Sequence, residues 1–329
     1  MIRDRFFGWL IVILCIVSII IGIILITNPK PGKEKGVRIT SGSFDEIFRG
    51  SKELRIKATR DGVAIVHIYG AISIESEKSI FDPYPRGADS VVNYIAKLRK
   101  NRHVKAIVLR INSPGGTIAA TQEICAEIER AKQKGIKVVA SMGDIAASGG
   151  YYVACAADKI IANEGTLTGS IGVIIAGLDL TGVFQKLYIK WNVLKSGKFK
   201  DILASWKEMS PEERDLLEAI IDDAYGQFTK YVAKGRDMNL EDVIKLADGR
   251  IYTGVQAKER KLVDDLGDLD KAVKMAAELA GLKGEPYIIK TKKEPFQLIM
   301  DLMDTKSKKN MLNMVLQQNH VPVQYLYIP

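Results

Sequence analysis

Histidine and cysteine are both scarce in this 329-residue chain, with three of each. Cys15, Cys125 and Cys155 lack the paired spacing of a metal site and cannot build a disulfide framework, so no metal and no cofactor are assigned. His67, His103 and His320 are isolated from one another, which leaves few partners for any chemistry built on imidazole. A basic stripe interleaved with aromatics is also missing. The net charge of +9, from 48 basic against 39 acidic residues, is spread along the chain and gathered near both ends, so no nucleic-acid partner is expected. A basic juxtamembrane face fits that distribution better. There is no internal repeat, and a hydrophobic content of 47% is enough for one large core or two small ones.

What is present begins with an uncharged run, FFGWLIVILCIVSIIIGIILIT over residues 6–27, close to the ~20 residues that cross a bilayer core as a helix. It ends in bulky Ile24-Leu25-Ile26 instead of small residues, so it reads as a retained anchor and not as a cleaved leader. Leu14 before Cys15 argues against a lipoprotein signal. Charge counting leaves orientation open, because Arg3 and Arg5 face Lys30, Lys33, Lys35 and Arg38 across the run. Residues 28–60 carry Pro29, Pro31, Gly32 and many charges and read as a tether.

The globular part alternates strands and helices. GVAIVHIYGAI (62–72), VKAIVLRI (104–111) and KVVAS (137–141) are β-branched, apolar runs of the kind buried on both faces of a parallel sheet. Between them, residues 88–100 and 117–134 have helical spacing. This order predicts an α/β fold, in which ligand sites lie beyond the carboxyl ends of the strands. Two glycine clusters, Gly115-Gly116 and Gly149-Gly150, follow such strands and can face one crevice. Residues 191–202 are expected to hold a short strand with Lys195, Lys198 and Lys200. A long helix is expected from Pro211 to about Lys234, with Ser210 and Glu213 as a capping box and Gly235 as its stop. Leu216, Leu217, Ile220, Ile221, Ala224 and Phe228 form its apolar face. Met300, Met303, Met311 and Met314 suggest a core or oligomer contact. The extended tail VPVQYLYIP is suited to adding as a strand to a cleft or to a neighbouring subunit.

Ser148 stands in Ala147-Ser148-Gly149-Gly150-Tyr151-Tyr152, among small residues and at the start of a helix, where N–H groups stabilise developing negative charge. A serine nucleophile needs a base. No histidine lies downstream of Ser148 in the folded region, which disfavours a histidine triad. A lysine serves if its surroundings let it be neutral, and Lys195, Lys198 and Lys200 are the candidates that spacing leaves open.

Asn112-Ser113-Pro114-Gly115-Gly116, the Ser148 run, Thr168-Gly169-Ser170-Ile171-Gly172 and Ser196-Gly197-Lys198-Phe199-Lys200-Asp201 follow one another, behind an anchor, in an order that resembles the short, single-core form of the signal peptide peptidase A family. The resemblance implies a Clp-protease/crotonase-like α/β fold with repeated β-β-α units. It also implies a serine/lysine dyad, with Ser148 as nucleophile, Lys200 as general base, Ser170 orienting the lysine and the N–H of Gly115 in the oxyanion hole. The N–H of Gly149, next to the nucleophile, is added on physical grounds. Signal peptides left in the membrane are the implied substrates, and a homo-oligomeric ring the implied assembly. The implied location is the cell membrane, single-pass, with the catalytic domain extracytoplasmic. The domains are then 1–27 (cytoplasmic stub and transmembrane anchor), 28–60 (tether), 61–283 (catalytic) and 284–329 (C-terminal extension). A crotonase-type acyl-CoA enzyme and a non-catalytic membrane scaffold are the alternatives; neither requires Ser148 and Lys200 to occur together.

Overall fold

The computed structural model describes residues 55–56, 58–74, 87–289, 291–292 and 324–326. The apolar run at 6–27, most of the tether, Cys15, His320 and the methionines at 300–314 lie outside the described residues. Among the described residues no helix is long and apolar enough to cross a membrane.

The elements run β1 (Arg55–Ile56), β2 (Gly62–Tyr69), α1 (Ala88–Arg99), β3 (Val104–Ser113), β4 (Gly115–Thr117), α2 (Ile118–Gln133), β5 (Lys137–Ala147), α3 (Gly149–Ala154), β6 (Lys159–Ala162) and β7 (Leu167–Gly169). They continue with α4 (Thr181–Lys186), α5 (Pro211–Arg236), α6 (Leu240–Leu246), β8 (Ile251–Thr253), α7 (Gly254–Glu259), β9 (Asp265–Leu266), α8 (Leu269–Leu279), β10 (Ile288–Ile289), β11 (Thr291–Lys292) and β12 (Gln324–Leu326). The fold is mixed α/β. Its main sheet has the order β10-β2-β3-β5-β6-β9, parallel throughout, with β7 parallel to β5 and β8 antiparallel to β7.

Alternation along the strands divides the core in two. Ala64, Val66, Ile107, Leu109, Val138 and Ala140 point to the side covered by α1, α2 and α3, whereas Val63, Ala106, Val108 and Val139 pack under Ala272, Val273 and Ala276 of α8. A register slip of one residue would exchange the two faces. Burial of each large aliphatic side chain contributes about 1.5–3 kcal/mol, so the register is strongly specified.

β5 is the strand that places the site. It is eleven residues long, well past the expected 137–141. Its first half pairs with β6 (Val139 with Lys159, Ser141 with Ile161) and its second half with β7 (Ile145 with Leu167, Ala147 with Gly169). Changing partner part-way lets one strand carry its last residues beyond the main sheet.

The long helix α5 begins as expected: Ser210 Oγ accepts from the Glu213 N–H at 3.3 Å, and Glu213 Oε2 accepts from the Ser210 N–H at 3.0 Å. Its end differs. Gly235 is helical and lies so close to α3 that a Cβ there would sit 2.3 Å from the Cys155 carbonyl oxygen, while Asp237, at φ 50°, makes the stop. The apolar face also divides: Ala224 and Phe228 are buried, but Leu216 and Ile220 are exposed. Residues 191–202 form no strand. They are an exposed, turn-rich segment that pairs with no strand among the described residues.

Candidate active site

Ser148 follows the last residue of β5 and caps α3. Its backbone has φ 51° and ψ −118°, a region that costs a non-glycine residue about 1–3 kcal/mol unless the surroundings impose it. Here they do. The Ser148 N–H donates to the Gly169 carbonyl at 2.8 Å, and the Ser148 carbonyl accepts from the Tyr152 N–H at 2.9 Å. The two tyrosines of the motif fix the helix behind it. Tyr151 is fully buried with its hydroxyl donating to the Leu262 carbonyl at 2.8 Å, and Tyr152 stacks on Tyr231 of α5 at 4.2 Å between ring centres. The result is a sharp strand-to-helix turn with a buried side chain at its tip, whose Oγ has no hydrogen-bond partner among the described residues.

Ser170 is brought beside it. Ala147 and Gly169 are register partners on parallel strands, so the serines that follow them emerge side by side, with strands about 4.8 Å apart. Ser170 also has positive φ (49°), and its N–H is held by the Arg250 carbonyl at 2.8 Å.

The two glycine clusters meet as well. A Cβ on Gly149 would lie 3.0 Å from Thr121 Oγ1, 3.1 Å from the Gly116 nitrogen and 3.3 Å from the Gly115 Cα. Gly116 is equally confined, since a Cβ there would come within 1.9 Å of the Ile72 carbonyl oxygen. Backbone amides of both clusters therefore line one pocket of space next to Ser148. The Gly115 N–H donates to Ser113 Oγ at 3.1 Å.

Lys200 is not brought to this cluster. It lies exposed on the 195–203 turn, and no hydrogen bond joins it to Ser148. Around it the arm between β7 and α5 exposes Leu178, Leu187, Tyr188, Trp191 and Leu194. The arm keeps its own small cluster, with Trp191 stacked on Trp206 at 4.9 Å.

Neither described histidine replaces the lysine. His103 precedes β3, at the amino end of the sheet, and its Nδ1 is 2.9 Å from Asp61. His67 is in register with Arg110, and Arg110 with Ser141, roughly 20 Å short of Ser148 along β5. Burial holds the His67 imidazole below the ordinary range, and its Nδ1 lies 2.9 Å from the Tyr69 hydroxyl. Among the described residues no group of acidic, histidine and cysteine side chains is placed to hold a metal.

The tail does add as a strand, and to its own chain: β12 pairs antiparallel with β4, Tyr325 opposite Gly116 and Leu326 opposite Gly115. It thus lies along the strand that borders Ser148. Backbone bonds of about 0.5–1.5 kcal/mol net each make this a modest barrier to another extended peptide. Truncation after Gln318 is expected to lower KM for peptides about three- to tenfold with kcat little changed, as read from initial rates. An unchanged KM would show that β4 is open to substrate with the tail in place.

Among known proteins, the Peptidase family S49 profile matches residues 130–283 and the Clp protease profile matches residues 68–164. A protein of Synechocystis sp. named as a protease is 42% identical over 245 residues, which cover 74% of this chain and 84% of the relative. A protein of Enterococcus faecium named as a signal peptide peptidase, SppA, is 34% identical over 270 residues, 80% of this chain and 78% of the relative. Protease 4 of Salmonella typhi is 35% identical over 288 residues, 87% of this chain but only 46% of that longer protein.

Proposed function

The chain belongs to peptidase family S49 and is a serine peptidase, and on that premise we propose that Ser148 is its nucleophile and Lys200 its general base, the lysine being supplied by a neighbouring copy of the chain. The observation that carries this reading is the Ser148 hydroxyl: buried, at a strained turn, flanked by two glycine clusters, and without a hydrogen-bonded base among the described residues. The exposed apolar arm bearing Lys200 supports the second copy, because Leu187, Tyr188 and Leu194 gain from burial against another subunit. A closed ring would give every Ser148 a Lys200.

In the proposed cycle the neutral Lys200 amine takes the Ser148 proton as Oγ attacks the peptide carbonyl. The oxyanion is held by the N–H of Gly149 together with that of Gly115. Collapse breaks the C–N bond, Lys200 returns the proton to the leaving amine, and an acyl-enzyme remains. Lys200 then activates the water that hydrolyses it. Ser170, adjacent to Ser148, orients the amine.

For substrate we propose signal peptides left in the membrane after precursor processing. The apolar run at 6–27 would anchor the chain in the cell membrane as a single pass, with the catalytic domain extracytoplasmic. The name of the Enterococcus relative supports the substrate, and the length of the run supports the anchor. The test is the cleavage profile of a mixed peptide library, run beside Ser148→Ala. Preference for apolar, leader-like segments is expected; indifference between these and charged peptides of equal length would remove the signal-peptide assignment while leaving the peptidase.

A further inference from the structure

The turn that carries Lys200 is shaped by charge. Lys195 Nζ donates to the Lys198 carbonyl at 2.9 Å and to Asp201 Oδ1 at 2.7 Å. Lys207 Nζ lies 3.6 Å from the same Oδ1 and also pairs with Glu213 Oε1. Glu213 is only 3% exposed, and its other oxygen closes the capping box of α5. A chain of alternating charges thus runs from Lys195 through Asp201 and Lys207 to Glu213, tying the turn to the first turn of a 26-residue helix. Inside it the backbone closes on itself, Lys200 N–H to the Gly197 carbonyl at 3.2 Å and Ala204 N–H to the Asp201 carbonyl at 3.1 Å.

Among the four lysines of this stretch, Lys195 and Lys207 meet Asp201, and Lys198 pairs with Glu212. Lys200 alone has no carboxylate partner among the described residues. Yet Asp201 is its sequence neighbour, and a carboxylate free to meet the amine would hold it protonated. Asp201 is not free: its side chain is 10% exposed and its Oδ1 is occupied by two ammonium groups. The hydrogen bond from Lys195 holds the Asp201 carboxyl below the usual range. Burial would lower Lys207, but its bond to Glu213 outweighs this and raises it. Other charged groups in this stretch are Lys186, Lys190 and Glu208 of the arm, Glu212, Glu213, Arg214 and Asp215 at the head of α5, and Asp179, which accepts from the Thr181 N–H at 2.9 Å where the arm turns back by Ser205.

We propose that Asp201, gripped by Lys195 and Lys207, is the positioning residue for Lys200: the ion chain fixes the turn on α5 and keeps the one adjacent carboxylate away from the base. This rests on the reading of Lys200 as general base. Losing the Lys195 bond leaves Asp201 only the longer 3.6 Å contact with Lys207, so its carboxylate can turn to the Lys200 ammonium. The charged form is then favoured, and the amine becomes neutral only at higher pH. Losing Asp201 itself loosens the turn without offering such a partner.

The test is kcat/KM against pH for a fluorogenic peptide cleaved by the full chain, with thermal melts confirming that each variant folds. Lys195→Met is expected to move the acid limb upward by about half to one pH unit, with the plateau within about threefold, and Lys195→Arg to keep the original limb. Asp201→Asn is expected to lower plateau kcat about tenfold with KM unchanged and the limb not raised. Unshifted limbs together with unchanged kcat, in a background where Lys200→Ala is inactive, would overturn the positioning role alone. Activity retained in Lys200→Ala would instead remove the base assignment beneath it. Equal losses in Lys195→Met and Lys195→Arg that follow melting temperature would reduce the ion chain to a structural brace and overturn the proposal.

Discussion

Ser148→Ala and Lys200→Ala are each expected to reduce peptide hydrolysis by about 10⁴-fold or more, since nucleophile and base act as a unit. Stability separates this result from unfolding. The Ser148 Oγ is buried without a partner among the described residues, so deleting it leaves no orphan behind, and the variant should melt at or slightly above the wild type. The strained backbone is no obstacle, because alanine pays the same cost at φ 51° as serine. Lys200 is exposed and has no ion-pair partner among the described residues, so its loss should also leave the melt within about 0.5 kcal/mol of wild type. Covalent labelling by a fluorophosphonate probe should vanish in Ser148→Ala and slow sharply in Lys200→Ala. Labelling of another serine, with Ser148→Ala fully active, would transfer the nucleophile elsewhere.

Much of the arrangement around Ser148 was legible in the chain. The apolar runs at 62–72, 104–111 and 137–141 named the strands, and parallel strands followed by glycine turns implied that both glycine clusters would meet at one end, as Gly149 and Gly115-Gly116 do. What periodicity missed was the second half of β5. Met142 to Ala147 contain a glycine and an aspartate and do not look like a buried strand. They become one because β7 and the end of β3 offer partners that are distant in sequence. The 191–202 run differs for the opposite reason: its β-branched and aromatic residues have strand character, but no strand among the described residues pairs with them. The exposed half of α5 belongs to the same case, since Leu216 and Ile220 carry helical spacing with nothing among the described residues to cover them. A single sequence reports what wants burial and is silent about whether the cover comes from the same copy.

Mixing the two inactive proteins decides that question for the active site. A copy with Ser148→Ala still carries an intact Lys200, and a copy with Lys200→Ala still carries an intact Ser148. If the dyad forms between copies, co-expression produces some contacts at which Ser148 of one subunit meets Lys200 of the next. Random one-to-one assembly puts a serine-competent copy at half of the positions and a lysine-competent neighbour beside half of those, so roughly a quarter of wild-type activity should return. A dyad closed within one chain returns none, because every chain then lacks one of its own two groups. The exposed position of Lys200 and the unpartnered Ser148 Oγ predict recovery. Copies bearing both substitutions, co-expressed with either single variant, supply the control, since they cannot contribute the missing half: activity there must stay at zero. Failure to recover in mixtures shown by size-exclusion chromatography to contain mixed oligomers would place Lys200 in its own chain's site, reached by a movement of the 174–209 arm toward Ser148.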